Sequence, residues 1–315
     1  MWAAPRSAHD GRRVADLLHS AASALHDTGC DTPSLDAEVL LAHTLGWDRA
    51  RLLAHPEHCL TAPDREAFAS ILARRQSREP LPYITGHREF FGLEFAVDHR
   101  VLVPRPETEV LVEQTLKWVR SRQAGQGQAG RGMSDHGSRP PLPVSPGSPS
   151  IADVGTGSGC IALALALHLP RATIYALDSS AGALEVAASN VARHGLQGRV
   201  LLLHSDLLGA LPSRVSAIVA NLPYVRTGEL TTLEPETRDH EPQVALDGGP
   251  TGLEPSRRLL AQAAPHLLPG GAIMLETGDG QGRAAAEMAR REFPRAKVDV
   301  LPDYAGRDRV LRILT

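Results

Sequence analysis

From Ser150 onward, short apolar runs alternate with segments of helical length, a pattern that few architectures accommodate. Strands are expected at 151–154, 173–177, 200–204, 217–220, 272–276, 297–301 and 309–314, with helices at about 160–169, 181–194, 254–267 and 281–292. Regular β/α alternation buries a mostly parallel sheet between helical layers, which predicts an α/β domain over 150–315. The final strand is separated from its neighbour only by Pro302 to Asp308, a connection short enough for antiparallel pairing.

In open α/β sheets, ligands sit outside the carboxyl ends of the strands. The first strand here runs into Asp153-Val154-Gly155-Thr156-Gly157-Ser158-Gly159-Cys160. Gly155, Gly157 and Gly159 permit positive φ and a close approach of ligand to backbone. The second strand ends at Asp178, 19 residues after Gly159, where a carboxylate can accept hydrogen bonds from both ribose hydroxyls. A dinucleotide site would look similar to this point, but G-x-G-x-x-G requires glycine at position 160, where Cys160 stands. The D-x-G-x-G-x-G spacing instead resembles the S-adenosylmethionine loop of Rossmann-like methyltransferases. Asp206 and Leu207 follow the third strand, with a plain turn or helix-cap role as the alternative for Asp206.

After the fourth strand comes Asn221-Leu222-Pro223-Tyr224. Asn221 offers a carbonyl acceptor, Pro223 fixes φ and has no N–H, and Tyr224 adds a flat face. Together they suit a planar nitrogen that carries hydrogens, such as an amide or an exocyclic base amine. An ordinary strand-to-loop exit is the competing explanation.

Upstream, residues 1–80 are expected to hold a small helical bundle. Val14, Leu17, Leu18, Ala21 and Leu25 repeat at helical spacing before Gly29; Ser34 can cap a second helix ending at Gly46; Asp48–His55 can form a third; Thr61 can cap a fourth. Composition leaves docking and purely structural roles for this domain equally open. Residues 81–121 are expected to form a hairpin around Gly92 and a stiff connector, Pro104-Arg105-Pro106, which makes Arg105 a candidate wall of a cleft. Residues 122–149 contain 11 glycines and prolines among 28 positions and are expected to be a flexible linker.

The formal net charge of −3 gives no pull toward polyanions. Cys30, Cys59 and Cys160 show no C-x-x-C pairing, and the 14 histidines show no metal-ligand spacing, so no metal is expected. The longest apolar run, Cys160 to Leu167, has eight residues, against the ~20 that span a bilayer. The first 13 residues lack a signal-peptide apolar core, and a cytoplasmic chain is expected.

Several blocks in order carry a resemblance: Pro80-Leu81-Pro82-Tyr83-Ile84-Thr85-Gly86, Leu102-Val103-Pro104-Arg105-Pro106-Glu107-Thr108-Glu109, the glycine loop, Glu241-Pro242 with Ala245-Leu246-Asp247-Gly248-Gly249, and Asp303-Tyr304-Ala305-Gly306-Arg307-Asp308-Arg309. Over nearly its whole length the chain resembles the PrmC/HemK family, protein-(glutamine-N5) methyltransferases that act on peptide-chain release factors. The resemblance implies a Rossmann-like class I methyltransferase fold with an N-terminal helical substrate-docking domain. It implies S-adenosylmethionine as cofactor, class 1 release factors as protein partners without direct nucleic acid or membrane contact, and a monomer. It further implies that Gly155, Thr156, Gly157, Ser158, Gly159, Asp178, Asp206, Leu207 and Asn221 line the cofactor site. Asn221, Leu222, Pro223, Tyr224 and Arg105 would hold the substrate, with Asn221, Pro223 and Tyr224 at the reaction. The sequence departs from the family at Leu222, where N-P-P-Y is usual, at Leu207, where tryptophan is common, and in its longer linker. N-L-P-Y is also the form seen in rRNA adenine-N6 dimethyltransferases, so nucleic-acid adenine-N6 methylation is the rival; the PRPETE block and the helical domain have no place there.

Overall fold

The computed structural model describes residues 12–129 and 148–315. They fall into two compact units, one running up to His87 and including Leu233–His240, the other formed by Arg88–Thr232 and Glu241–Thr315.

The first unit is helical: α1 (Val14–Asp27), α2 (Pro33–Leu45), α3 (Arg49–Ala54), α4 (Ala62–Gln76) and α5 (Leu81–Thr85). None of these helices is long enough to be stable alone, and their apolar faces meet in one core that includes Leu25, Leu40, Leu41, Leu52 and Phe68. The Asp48 side chain caps α3, and Thr61 and Asp64 form a reciprocal capping box at α4. The second helix starts earlier than expected. Its N-cap position is Thr32 and Pro33 opens it, so Ser34 lies inside the first turn and caps nothing. Proline suits that place because its φ is already helical and the N–H it lacks would be unpaired. The Asp36 carboxylate meets the Arg75 guanidinium at 2.7 Å with both side chains almost fully buried. Arg75 and Arg78 also grip Glu236, at 2.8 Å and 2.6 Å, which fastens the 233–240 excursion to this unit.

The second unit opens with a hairpin, β1 (His87–Phe90) and β2 (Leu93–Ala96), turning through Phe91 and Gly92 at positive φ. A 3-10 turn over Pro106–Thr108 leads into α6 (Glu109–Ala129). Residues 122–129, expected to be linker, therefore continue this helix, and the rest of that linker up to 147 lies outside the described residues. Next come β3 (Ser150–Val154), α7 (Cys160–His168), β4 (Thr173–Asp178), α8 (Ala181–Arg193), β5 (Val200–His204) and β6 (Val215–Ala220). After passing through the first unit at α9 (Pro235–His240), the chain adds α10 (Glu254–Ala263), β7 (Leu267–Glu276), α11 (Gly282–Glu292), β8 (Lys297–Pro302) and β9 (Asp308–Leu314).

The seven strands lie in the order β5-β4-β3-β6-β7-β9-β8. β3 to β7 are parallel neighbours, and β9 enters antiparallel between β7 and β8, pairing Glu276 with Val310 and Lys297 with Leu314. The β7 strand starts before the expected 272, because Leu267 pairs with Val215 ahead of a register shift. Strand order reverses between β3 and β6, the position where doubly wound sheets open a crevice. No helix among the described residues is long and apolar enough to cross a membrane.

Candidate active site

A cavity of about 310 Å3 opens above that reversal point. Its floor is the loop from β3 to α7. Gly155 N and Thr156 N both donate to Leu177 O, at 2.8 and 2.9 Å, folding the loop over the end of β4. Gly155, Gly157 and Gly159 have φ of 74°, 55° and 82°, the left-handed region that glycine permits. Gly159 does not line the cavity; its place is the N-cap of α7, where an added Cβ would sit 2.9 Å from Leu163 Cδ1.

The loop is held from below by Asp153. Its Oδ2 accepts from Thr156 Oγ1 at 2.6 Å and Ala162 N at 3.1 Å. Its Oδ1 is buried without a partner, and burial pushes the carboxyl up to about 7. Buried Asn190 on α8 holds the loop from the side: its Nδ2 donates to Ser158 O at 2.9 Å and Ala96 O at 3.0 Å, and its Oδ1 accepts from Ala96 N at 2.7 Å.

Asp178 stands at the end of β4 on the cavity wall, with Oδ2 accepting from Gly157 N at 2.8 Å and Oδ1 from Ser180 N at 2.9 Å. These donors fix the carboxylate plane while each oxygen keeps a free lone pair. After β5, Ser205 Oγ donates to Leu207 O at 2.8 Å and accepts from Ala210 N at 2.9 Å. The turn carries Leu207 at a φ of 50°, unusual for a branched side chain. Asp206 lies on the exposed rim, where Oδ2 pairs with Arg258 Nη2 at 2.7 Å.

The far wall is the end of β6. Asn221, Leu222 and Pro223 line the cavity, and Asn221 Nδ2 donates to Thr108 Oγ1 at 3.1 Å. Leu222 packs its side chain against Gly155. Tyr224 does not line the cavity: its phenol lies among the charges of Glu276, Arg309 and Arg105, and burial, then Glu276, push it up to about 12. Gln281 Nε2 donates to Tyr224 O at 2.8 Å, and Gly248 N donates to Val225 O at 2.7 Å. Arg105 closes one side, its Nη2 meeting both Glu241 oxygens at 2.7 and 2.8 Å. That contact joins the two sequence blocks P-R-P-E-T-E and Glu241-Pro242 within one wall. Burial raises the Glu241 carboxyl, against the pull of Arg105.

Of the residues named from sequence, Gly155, Thr156, Gly157, Ser158, Asp178, Asp206, Leu207, Asn221, Leu222, Pro223 and Arg105 share this cavity, whereas Gly159 and Tyr224 stand behind its walls. Sequence reasoning gave no site role to Asp153, Thr108 and Gly248, although each stands in a block it singled out, and it passed over Glu276, which lies buried behind the wall beside Tyr224. Gly248 approaches the 223–224 backbone so closely that a Cβ would lie 2.7 Å from Tyr224 Cα. The double glycine at 248–249 and the acid that opens D-x-G-x-G-x-G were the available signals; Thr108 and Glu276 look like a helix-start residue and a strand-end acid.

Residues 16–86 match the family model described as PrmC N-terminal domain, and residues 130–234 match Methyltransferase small domain. A release factor glutamine methyltransferase of Moorella thermoacetica is 43% identical over 282 residues, covering 89% of this chain and 91% of the relative. Relatives of the same name from Cereibacter sphaeroides and Agrobacterium fabrum are 38% and 36% identical, each over 95% of this chain and 97% and 96% of their own lengths. On identity sustained over that much of both chains, this chain belongs to the release factor glutamine methyltransferase family and is a methyltransferase.

Proposed function

We propose that this methyltransferase transfers a methyl group from S-adenosylmethionine to the side-chain nitrogen of the glutamine in the Gly-Gly-Gln motif of class 1 peptide-chain release factors. In this reading it acts in the cytoplasm, as a monomer without a metal, and the helical unit docks the release factor. The observation that carries the reading is the Asn221 amide. Its Nδ2 is given to Thr108, which leaves Oδ1 to accept from an incoming N–H. With Tyr224 O and Val225 O already taken, the carbonyls of Leu222 and Pro223 remain for a second N–H. Two acceptors beside one cavity suit a primary amide.

The residues present fit the cofactor. Asp178 offers oriented lone pairs to a ribose diol, and an added Cβ at Gly157 would meet nothing within 4 Å, so the loop faces open space. No Lys or Arg stands in 153–160 to hold a pyrophosphate. The cavity falls in the ~300–1,000 Å3 range of small-molecule sites.

S-adenosylmethionine held by the 155–158 loop and Asp178 would supply an electrophilic methyl group on a positively charged sulfur, a neutral thioether being the leaving group. An amide nitrogen is a poor nucleophile because its lone pair is delocalised into the carbonyl. Asn221 Oδ1 and a carbonyl of Leu222 or Pro223 would accept its two N–H groups, orient its lone pair and stabilise the positive charge that develops on nitrogen. The surplus proton leaves to water, so no strong base is needed. Leu222 in place of proline is compatible with this role, since only its carbonyl takes part.

The test is incubation with labelled cofactor and purified release factors, with rRNA in parallel. Label in the tryptic peptide carrying Gly-Gly-Gln is the expected result. Label found only in RNA would overturn the reading in favour of an adenine-N6 acceptor.

A further inference from the structure

The Asn221 amide has two ends of nearly equal size and opposite hydrogen-bonding sense, and the proposed function needs the oxygen toward the acceptor. Nothing within the amide itself sets that orientation. Its protein partner is the hydroxyl of Thr108, which is buried at the last position of the 3-10 turn Pro106–Thr108. A hydroxyl can play either part: if it donated to Asn221, the amide would turn its nitrogen into the site. Which part it plays depends on where its proton goes.

Glu276 supplies the answer. It ends β7, next to β6 in the sheet, and is only 2% exposed. Neither carboxyl oxygen makes a hydrogen bond, and burial pushes the carboxyl up to about 7 against an opposing pull from the nearby Thr108 hydroxyl. A buried carboxyl with unfilled lone pairs is a strong claimant for that proton, because an unmet acceptor in a dry interior is unfavourable. With the hydroxyl proton drawn to Glu276, the lone pairs of Thr108 Oγ1 are left for Asn221 Nδ2. Contacts of this kind are often loose before substrate arrives and tighten in the reactive complex.

We propose that Thr108 and Glu276 are positioning residues for methyl transfer: Glu276 accepts a hydrogen bond from the Thr108 hydroxyl, Thr108 accepts from Asn221 Nδ2, and Asn221 Oδ1 is thereby held toward the acceptor amide. The inference rests on the acceptor-site role proposed above for Asn221. Thr108 lines the cavity and Glu276 does not, and both would act through Asn221. Their task is to stop the Asn221 amide from presenting two donors to a nitrogen that is itself a donor. The T of P-R-P-E-T-E thus acquires a chemical reason that its place before α6 does not reveal.

The experiment compares wild type, Thr108→Val, Thr108→Ser and Glu276→Gln, each first shown folded by its thermal transition and by its affinity for S-adenosylmethionine. Thr108→Val keeps the shape and removes the hydroxyl. It is expected to lower kcat on the order of 10- to 100-fold, with KM for the release factor changed only a few-fold and cofactor affinity unchanged. Thr108→Ser should restore kcat to near wild type, and Glu276→Gln, which can offer Thr108 a donor as well as an acceptor, should lose part of it. In an Asn221→Ala background, Thr108→Val should lower kcat no further, because its effect passes through Asn221. The proposal is overturned if Thr108→Val turns over like wild type, if Thr108→Ser is as poor as Thr108→Val, or if the loss persists without Asn221. Absence of wild-type transfer to any release factor would overturn the function itself, and the positioning pair with it.

Discussion

Replacing Gly248 by alanine tests whether the acceptor carbonyls must be held to sub-ångström accuracy. The φ of Gly248 is not in the left-handed region, so the change is purely steric. The new Cβ would lie 2.7 Å from Tyr224 Cα, 2.8 Å from Pro223 O and 2.9 Å from Gly252 Cα, all of them backbone atoms that cannot rotate aside. Reaching the 3.4 Å of the closest ordinary contact requires about 0.7 Å of movement at the worst of these. Gly248 N is also bonded to Val225 O at 2.7 Å, so the two segments cannot part without losing that bond. The 223–225 backbone must shift, and Pro223 O moves with it. A misplacement of about 1 Å in a reacting geometry can cost about 100-fold, so Gly248→Ala is expected to lower kcat/KM on the order of 10-fold or more. Overpacking should also cost about 1–3 kcal/mol of stability. The assay is transfer of labelled methyl to a purified release factor, alongside the thermal transition. Cofactor affinity should change little, because the glycine loop and Asp178 are not displaced. A folded variant with near-normal kcat/KM would refute the claim that the 223–224 backbone is placed this tightly.

Three further outcomes are expected. Asp178→Ala removes the acceptor of Gly157 N and Ser180 N; calorimetry should show cofactor affinity weakened by at least about tenfold, roughly 1.4 kcal/mol, and unchanged affinity would remove Asp178 from the ribose role. Asp36→Ala leaves buried Arg75 with only Glu236 as a carboxylate partner; it should lower the melting temperature through a loss of about 3 kcal/mol while cofactor affinity, a property of the other unit, stays as it was. Asp153 keeps its proton up to about 7 in the folded chain against an ordinary 3.8, so its contribution to stability is fully present below 3.8 and is lost as pH rises through about 7. Urea midpoints of Asp153→Asn, which keeps an acceptor for Thr156 and Ala162, should therefore fall less between pH 5 and pH 8 than those of wild type, and equal slopes would refute the shift.

What the sequence revealed and what it hid divide along sequence distance. The three loop glycines were legible because a local backbone requirement, positive φ, selects glycine. The strands and the antiparallel end of the sheet were legible from apolar runs and the short connection after Pro302. Residues whose role lies in a contact across the fold were not. Thr108 meets Asn221 from 113 positions away, and Arg105 meets Glu241 from 136. Tyr224 looked like a cavity wall because it follows Pro223, yet the chain turns there and lays its ring toward Glu276 and Arg309. Leu207 adopts a φ of 50° that no leucine advertises; the Ser205 hydrogen bonds impose it. Ser34 and Thr32 both suit a cap, and only Pro33, with its fixed φ, decides where the helix begins.

Asn190 lets a single amide proton report on the glycine loop. The N–H of Ala96, in a two-stranded hairpin, is held by a side chain rather than by a neighbouring strand, and the same side chain holds Ser158 O in the glycine loop. For the Ala96 proton to exchange with solvent its bond to Asn190 must break, and a break made by movement of the Asn190 side chain also releases Ser158 O. Exchange at this one site therefore counts every opening in which Asn190 moves, and so sets a lower bound on the opening free energy of a loop whose own amides are partly shielded by Leu177 O and Asp178. A ligand that binds only the closed loop should slow the part of Ala96 exchange that passes through such openings.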